Sequence, residues 1–445
     1  MLTKLRVKNF KAWGEELWDE GVELAPITLF LGPNSAGKTS LLQVPLLLKQ
    51  TFTSPDPSLD LNLGGQPTDL IDVGTYESLV HGNDKNRRLG IGISVAFPSR
   101  GAEKHLNYAA TFMASGLAAA LEELSFEFNG RTVVAKRLDD EYRLEVPSEG
   151  AMLGFFQQSR ASAFEFKDVP EVEGLPDFAS LLKTEDPKKF WKYLDFQIQL
   201  ASFRRRIEKI GFLGPLRDEP SRSYLWSGAR PVDLGSRGER SVAALLASLD
   251  EAEEGKSSSL VENVSRWMKT IGIADELVIE RHGRSRYNEL YVVEGGRKTN
   301  IIDVGFGISQ VLPMLVLSYF VEEGTTIIAE QPELHLHPRA QVGLAELMVE
   351  VARERKVQFI VETHSEHLFR RLQTLISEEK LSHEECRLYF VDRNDEGKTQ
   401  LTTLEVDPFG RVKNWPKHFF GDAIGETERQ TRKMMERLAR ERSKR

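Results

Sequence analysis

Eight residues near the N-terminus, Gly32-Pro33-Asn34-Ser35-Ala36-Gly37-Lys38-Thr39, have the types and spacing that hold a chain of phosphates. The glycines free backbone N–H groups to wrap an anion. Lys38 has the reach for β- and γ-phosphates, and the Thr39 hydroxyl is a ligand for Mg²⁺. A short β-rich run, Pro26–Leu31, precedes the loop, and an apolar helical pattern opened by Ser40 follows it. There the helix N-terminus adds its dipole to the site. A chance glycine turn would lack this strand and helix.

Three further runs carry groups that such a site needs. Thr325–Glu333 is an apolar strand running into Glu330, Gln331 and Glu333, where a Mg²⁺-binding carboxylate belongs beside a phosphate loop. Asp303–Gln310 sets Gly305 and Gly307 ahead of Ser309 and an apolar helix, a second candidate anion site; by itself it reads as a tight turn. Val357–Ser365 is a β-run ending at His364, which could hydrogen-bond a γ-phosphate; by itself it reads as Ser365 capping a helix beside a bystander histidine.

The elements around these runs belong to a chain of 445 residues, 40% hydrophobic and 28% charged, with net charge −8. Such a composition supports a folded core. It excludes a uniformly basic nucleic-acid protein and leaves any DNA contact to local patches such as Arg204-Arg205-Arg206. The single cysteine, Cys386, excludes an internal disulfide and a cysteine-only zinc site, and fits a reducing cytoplasm. The N-terminus lacks the apolar stretch of a signal peptide. Val311–Phe320, the longest mostly apolar run, is too short to cross a membrane.

Patterning predicts strands at Leu2–Val7, Leu89–Phe97 and Glu123–Val146, the last with a turn at Asn129-Gly130. It predicts a loop over 54–74 and helices over Ser40–Gln50, Phe190–Ile210, Gly235–Leu249 and Leu260–Ile273, with Pro45 shortening or kinking the first. Glu276–Val293 reads as a hairpin. Ile424–Arg445 reads as a charged helix with eight basic and four acidic residues, suited to partner or nucleic-acid contact or simply to solvent.

Phosphate loop, glycine-rich signature, acidic strand and histidine, in this order along the sheet and helices, resemble the ABC-type ATPase head. Asn9-Phe10-Lys11 and the run Glu330-Gln331-Pro332-Glu333-Leu334-His335-Leu336-His337-Pro338 are similar to the SMC, RecF and OLD branch, especially to stand-alone ATPases of prokaryotic anti-phage systems such as Septu and PARIS. Asp407-Pro408-Phe409-Gly410-Arg411, Asn414-Trp415-Pro416 and Phe419-Phe420 resemble a region that accompanies this subgroup. The resemblance covers roughly residues 1–80 and 295–420; in the middle, Gly214-Pro215-Leu216-Arg217 is the main matching run.

The resemblance implies an α/β fold: a mixed sheet with flanking helices, an antiparallel β-subdomain and an α+β insertion. Residues 1–100 and 295–422 would form the head, 101–294 the insertion and 423–445 a helical tail. It implies ATP and Mg²⁺ as cofactors and a head-to-tail pair of chains with ATP between them. Each ATP would rest on Lys11 and the phosphate loop of one chain and on Gly305, Gly307 and Ser309 of the other. Glu330 would share Mg²⁺ with Thr39, and His364 would sense the γ-phosphate. His335 to Pro338 would cross the interface. His335 and His337 as metal ligands would need a carboxylate cluster that the sequence does not supply.

Two departures shape the functional expectation. Where most such heads carry a glutamate that polarises the attacking water, this chain has Gln331, an amide that cannot accept a proton at neutral pH. Glu333 would take over if the strand continued, since residues two apart share a face. And the chain after His364 is too short for the nuclease domain of OLD proteins, so Asp392, Asp395 and Glu396 read as a solvated turn. The expectation is a slow ATPase in the cytoplasm whose head pairing controls a separate effector, a nuclease or toxin, in anti-phage defence. A nucleotide-locked scaffold and a RecF-like DNA clamp are the rivals.

Overall fold

The computed structural model describes residues 1–56, 58–97, 104–128, 130–138, 141–146, 151–157, 187–253, 260–281, 286–416, 430 and 432–435. The first strands along the chain are β1 (Leu2–Lys8), β2 (Val22–Glu23), β3 (Ile27–Leu31), β4 (Leu89–Phe97), β5 (Lys104–Ser115) and β6 (Ala118–Phe128). Then come β7 (Arg131–Leu138), β8 (Glu141–Val146), β9 (Ala151–Gln157), β10 (Gly211–Leu213), β11 (Tyr224–Leu225) and β12 (Glu276–Arg281). The last are β13 (Tyr287–Glu294), β14 (Arg297–Asn300), β15 (Thr326–Glu330), β16 (Gln358–Glu362), β17 (Cys386–Arg393) and β18 (Thr399–Thr403).

The central sheet has the order β10-β15-β16-β3-β17-β18. Its first five strands run parallel and β18 closes the edge antiparallel. β3, β15 and β16 are buried along their whole length, which explains their unbroken apolar sequence: both faces of a parallel sheet are covered. The period-two alternation decides which cover each residue meets. Leu29, Ile327, Ala329, Phe359 and Val361 enter one core with the helices Phe306–Phe320, Pro338–Arg355 and Glu366–Ser377. Phe30, Ile328 and Ile360 point the other way, into a core shared with helix Lys38–Thr53 and the second sheet.

That second sheet is antiparallel, in the order β2-β1-β4-β5-β6-β7-β8-β9. Helix Pro187–Glu208 packs on it through Phe203, which stacks on Tyr108 at 4.9 Å between ring centroids. A third, smaller sheet joins β11, β13 and β12, with β14 paired to β13.

The structure differs from the sequence reading at four places. Pro45 lies inside helix Lys38–Thr53, which runs through it. The helix expected from Gly235 starts at Ser241, because Gly235 and Gly238 take φ of 75° and 73°, which a right-handed helix does not admit. The strand expected to reach His364 ends at Glu362. Of Arg204-Arg205-Arg206, Arg204 binds Glu208 and the Phe52 carbonyl and Arg206 lies over the Phe97 ring, while Arg205 is exposed, so two of the three are engaged within the chain. The expected tail helix falls almost wholly outside the described residues, as does part of the Phe190–Ile210 region's N-terminal surroundings.

Candidate functional site

The phosphate loop joins β3 to helix Lys38–Thr53. Gly32 has φ +137°, and a Cβ there would lie 1.9 Å from the Val391 carbonyl oxygen, so only glycine fits. Gly37 is left-handed at φ 112° and opens the helix without any side-chain cap. The first helical N–H groups are thus left to an anion. A cavity of about 410 Å³ opens over them. Lys11, Asn34, Ser35, Gly37, Lys38, Thr39 and Ser40 line it, and Gln331 and Glu362 form its far wall.

Inside the loop, Lys38 Nζ donates to the carbonyls of Pro33 at 2.7 Å and Gly32 at 3.1 Å, and stands 3.6 Å from the Glu362 carboxylate. Thr39 Oγ1 donates to Glu362 Oε2 at 2.6 Å. Burial lowers the Lys38 pKa against the opposing pull of Glu362. Lys11 takes φ 50°, which turns its side chain onto Gln43 at 2.6 Å; burial lowers its pKa as well.

Glu362 escaped the sequence reading, which passed over it for His364. Its importance comes from strand order: β16 lies between β3 and β15, so Glu362 is the register partner of Glu330. An acid at the end of a buried strand was the available signal.

Glu330 ends β15 and is buried. Burial first, then the charge of Glu362, raise its pKa to about 7, against Arg217 and Lys11. The strand stops here. Gln331 takes φ 45° and donates its N–H to the Glu362 carbonyl at 2.8 Å, and a turn follows. The expectation that Glu333 shares a strand face with Gln331 is therefore corrected. Glu333 does not line the cavity: it is buried, its Oε1 accepts from the His364 N–H at 2.7 Å, and burial raises its pKa. His364 is exposed beyond it, and desolvation and the Lys38 charge lower its pKa. Ser365 also caps helix Glu366–Ser377 by accepting from the Leu368 N–H, so the capping role is real.

Arg217, after β10, is the second group underrated from sequence. It is buried, donates to the Glu330 carbonyl at 3.3 Å, and has Nε and Nη1 without a hydrogen-bond partner. Burial lowers its pKa to about 10, opposed by Glu330 and Glu333.

Gly305 caps helix Phe306–Phe320, with open space where a Cβ would stand. A Cβ on Gly307 would approach the His335 carbonyl at 3.2 Å, so the Gly305–Gln310 run abuts the His335–Pro338 segment. Neither glycine, nor the buried Ser309, lines the cavity of its own chain. His337 caps helix Pro338–Arg355 through Arg339 N–H, and no group of three or more metal-ligating side chains occurs among the described residues. The donor set around Thr39, hydroxyl and carboxylate oxygen, suits Mg²⁺, which binds through one or two carboxylates plus nucleotide phosphates and water.

The parallel sheet flanked by helices, with an antiparallel second sheet beside it, is consistent with the α/β fold expected of an ABC-type ATPase head. Residues 237–369, which include the Gly305–Gln310 run, the acidic strand end and His364, match the family model of the AAA ATPase domain. Residues 381–430 match a protein of unknown function, DUF3696; this stretch holds the Asp407–Arg411 turn and Trp415, which packs on Phe369. No curated protein matches the chain. Among solved structures, the SMC head domain from Thermotoga maritima is 13% identical with TM-score 0.41, covering 91% of this chain and 99% of that one. An SmcHead bound to the C-winged helix domain of ScpA is 14% identical with TM-score 0.46, covering 91% and 98%. The Smc head domain with an extended coiled coil, bound to the C-terminal domain of ScpA from Pyrococcus furiosus, is 13% identical with TM-score 0.44, covering 91% and 96%.

Proposed function

We propose that this chain binds ATP with Mg²⁺ and hydrolyses it slowly, and that two chains pair head-to-tail around the nucleotide to control a separate effector protein. The observation that carries the nucleotide part is the cavity over the uncapped helix N-terminus, with Lys38, Thr39, Glu362 and Gln331 around it. Thr39 and Glu330 would hold Mg²⁺, which when bound screens the phosphate charge. Lys38 and Lys11 would neutralise the rest. Gln331 in the wall can orient a water and cannot take its proton. Glu333 is the nearby candidate base, and its raised pKa favours proton acceptance. Gly305, Gly307 and Ser309 would serve the partner chain's nucleotide. Effector control, the anti-phage setting and a cytoplasmic location rest on the sequence resemblance alone. No helix among the described residues is long and apolar enough to cross a membrane.

A scaffold reading, in which nucleotide locks an assembly, draws on the same Gln331. Single-turnover hydrolysis separates them. Glu333→Gln should slow phosphate release by about 10²-fold or more while ATP affinity persists, and Gln331→Glu should accelerate it. A rate indifferent to both substitutions would remove this strand end from the chemistry. No hydrolysis at all in the unaltered chain would leave the scaffold.

A further inference from the structure

Glu362 engages the phosphate loop with both oxygens. Oε2 accepts from Thr39 Oγ1 at 2.6 Å and Oε1 lies 3.6 Å from Lys38 Nζ. The two charged side chains are almost wholly buried, Lys38 at 2% exposure and Glu362 at 6%. An ammonium has three donors. Two of them go to the Gly32 and Pro33 carbonyls, and the third has Glu362 in reach. Lys38 and Thr39 are also the side chains by which a phosphate loop grips nucleotide and metal. In this chain both are already committed to one internal carboxylate.

We propose that Glu362 is a built-in stand-in for the nucleotide's terminal phosphate. The inference rests on the nucleotide-binding reading above and adds to it an exchange. An arriving polyphosphate takes Lys38 away from Glu362, and the carboxylate stays behind, buried beside a second anion. Like charges a few ångströms apart in a poorly screened cavity repel strongly. Glu362 therefore opposes metal-free nucleotide, and a divalent cation near Thr39 relieves the repulsion. Affinity depends on Mg²⁺ more steeply than it would with an uncharged residue at the end of β16. A purely structural brace between β16 and β3 would behave otherwise: its removal would weaken binding with and without metal alike.

The experiment is calorimetric titration of the full chain with ATP, once in EDTA and once in excess Mg²⁺. The proteins are the unaltered chain, Glu362→Gln and Glu362→Asp, each checked for fold by circular dichroism. The proposal expects Glu362→Gln to bind metal-free ATP about tenfold tighter, and the ratio of Mg²⁺-dependent to metal-free affinity to fall by a similar factor. Glu362→Asp withdraws the carboxylate by one methylene from Thr39 and Lys38, so metal-free affinity should rise a few-fold; it decides the matter if Glu362→Gln does not fold. An unaltered chain that binds ATP, with variants that bind metal-free ATP no tighter, overturns the stand-in and leaves the nucleotide reading in place. An unaltered chain that binds no ATP in either buffer overturns both.

Discussion

Replacing Glu330 by glutamine should stabilise the nucleotide-free protein above neutral pH and leave it little changed in mild acid. In the folded chain, burial and the adjacent Glu362 charge raise the Glu330 pKa from an ordinary 4.5 to about 7, although Arg217 and Lys11 pull it back. The folded state thus keeps a proton that the unfolded chain has released. Stability must fall as pH rises from 4.5 and level off above about 7. At about 1.36 kcal/mol per pH decade, the span amounts to roughly 3 kcal/mol. Glutamine is neutral throughout, so its profile lacks this slope. Urea unfolding of both proteins in EDTA, between about pH 5 and pH 8, measures the difference directly. The stability gap should widen in favour of the variant by about 2–3 kcal/mol across that range. A gap that stays constant with pH would refute the buried, like-charged environment assigned to Glu330.

Two other substitutions probe the loop and the signature. Gly32→Ala forces a Cβ to within 1.9 Å of the Val391 carbonyl at a left-handed φ, so it should cost about 2–4 kcal/mol and abolish ATP binding; an unchanged melting temperature and affinity would contradict the loop geometry. Gly305→Arg enters open space with an ordinary φ of −57°. Folding and ATP binding by one chain should survive, while ATP-driven pairing, followed by light scattering, should be lost; persistent ATP-dependent pairing would remove Gly305 from the interface.

What the sequence made legible was local. The phosphate loop is a contiguous run whose strand and helix flank it. The apolar runs of β15 and β16 announce buried parallel strands, and β6 and β7 pair antiparallel, as the hairpin reading of that stretch expects. What stayed hidden depends on contacts between distant segments. Glu362 matters because β16 pairs between β3 and β15. Arg217 matters because β10, only three residues long, lies beside β15. Glu333 was placed on the face of Gln331 only on condition that the strand continued past Glu330, and Gln331 at φ 45° turns the chain there instead. The burial of Glu330 and Glu362 at the ends of two interior strands is a property of the packed layers above and below them.

The central claim is that Lys38 and the uncapped helix after Gly37 grip a nucleotide. Calorimetric titration of the unaltered chain and Lys38→Ala with Mg²⁺ and ATP tests it most directly. Removing the ammonium takes the strongest class of hydrogen bond, a charge-assisted one, from the phosphates. The account predicts saturable binding by the unaltered chain and no measurable binding by the variant at the same concentrations; near-equal affinity in the two proteins would contradict it.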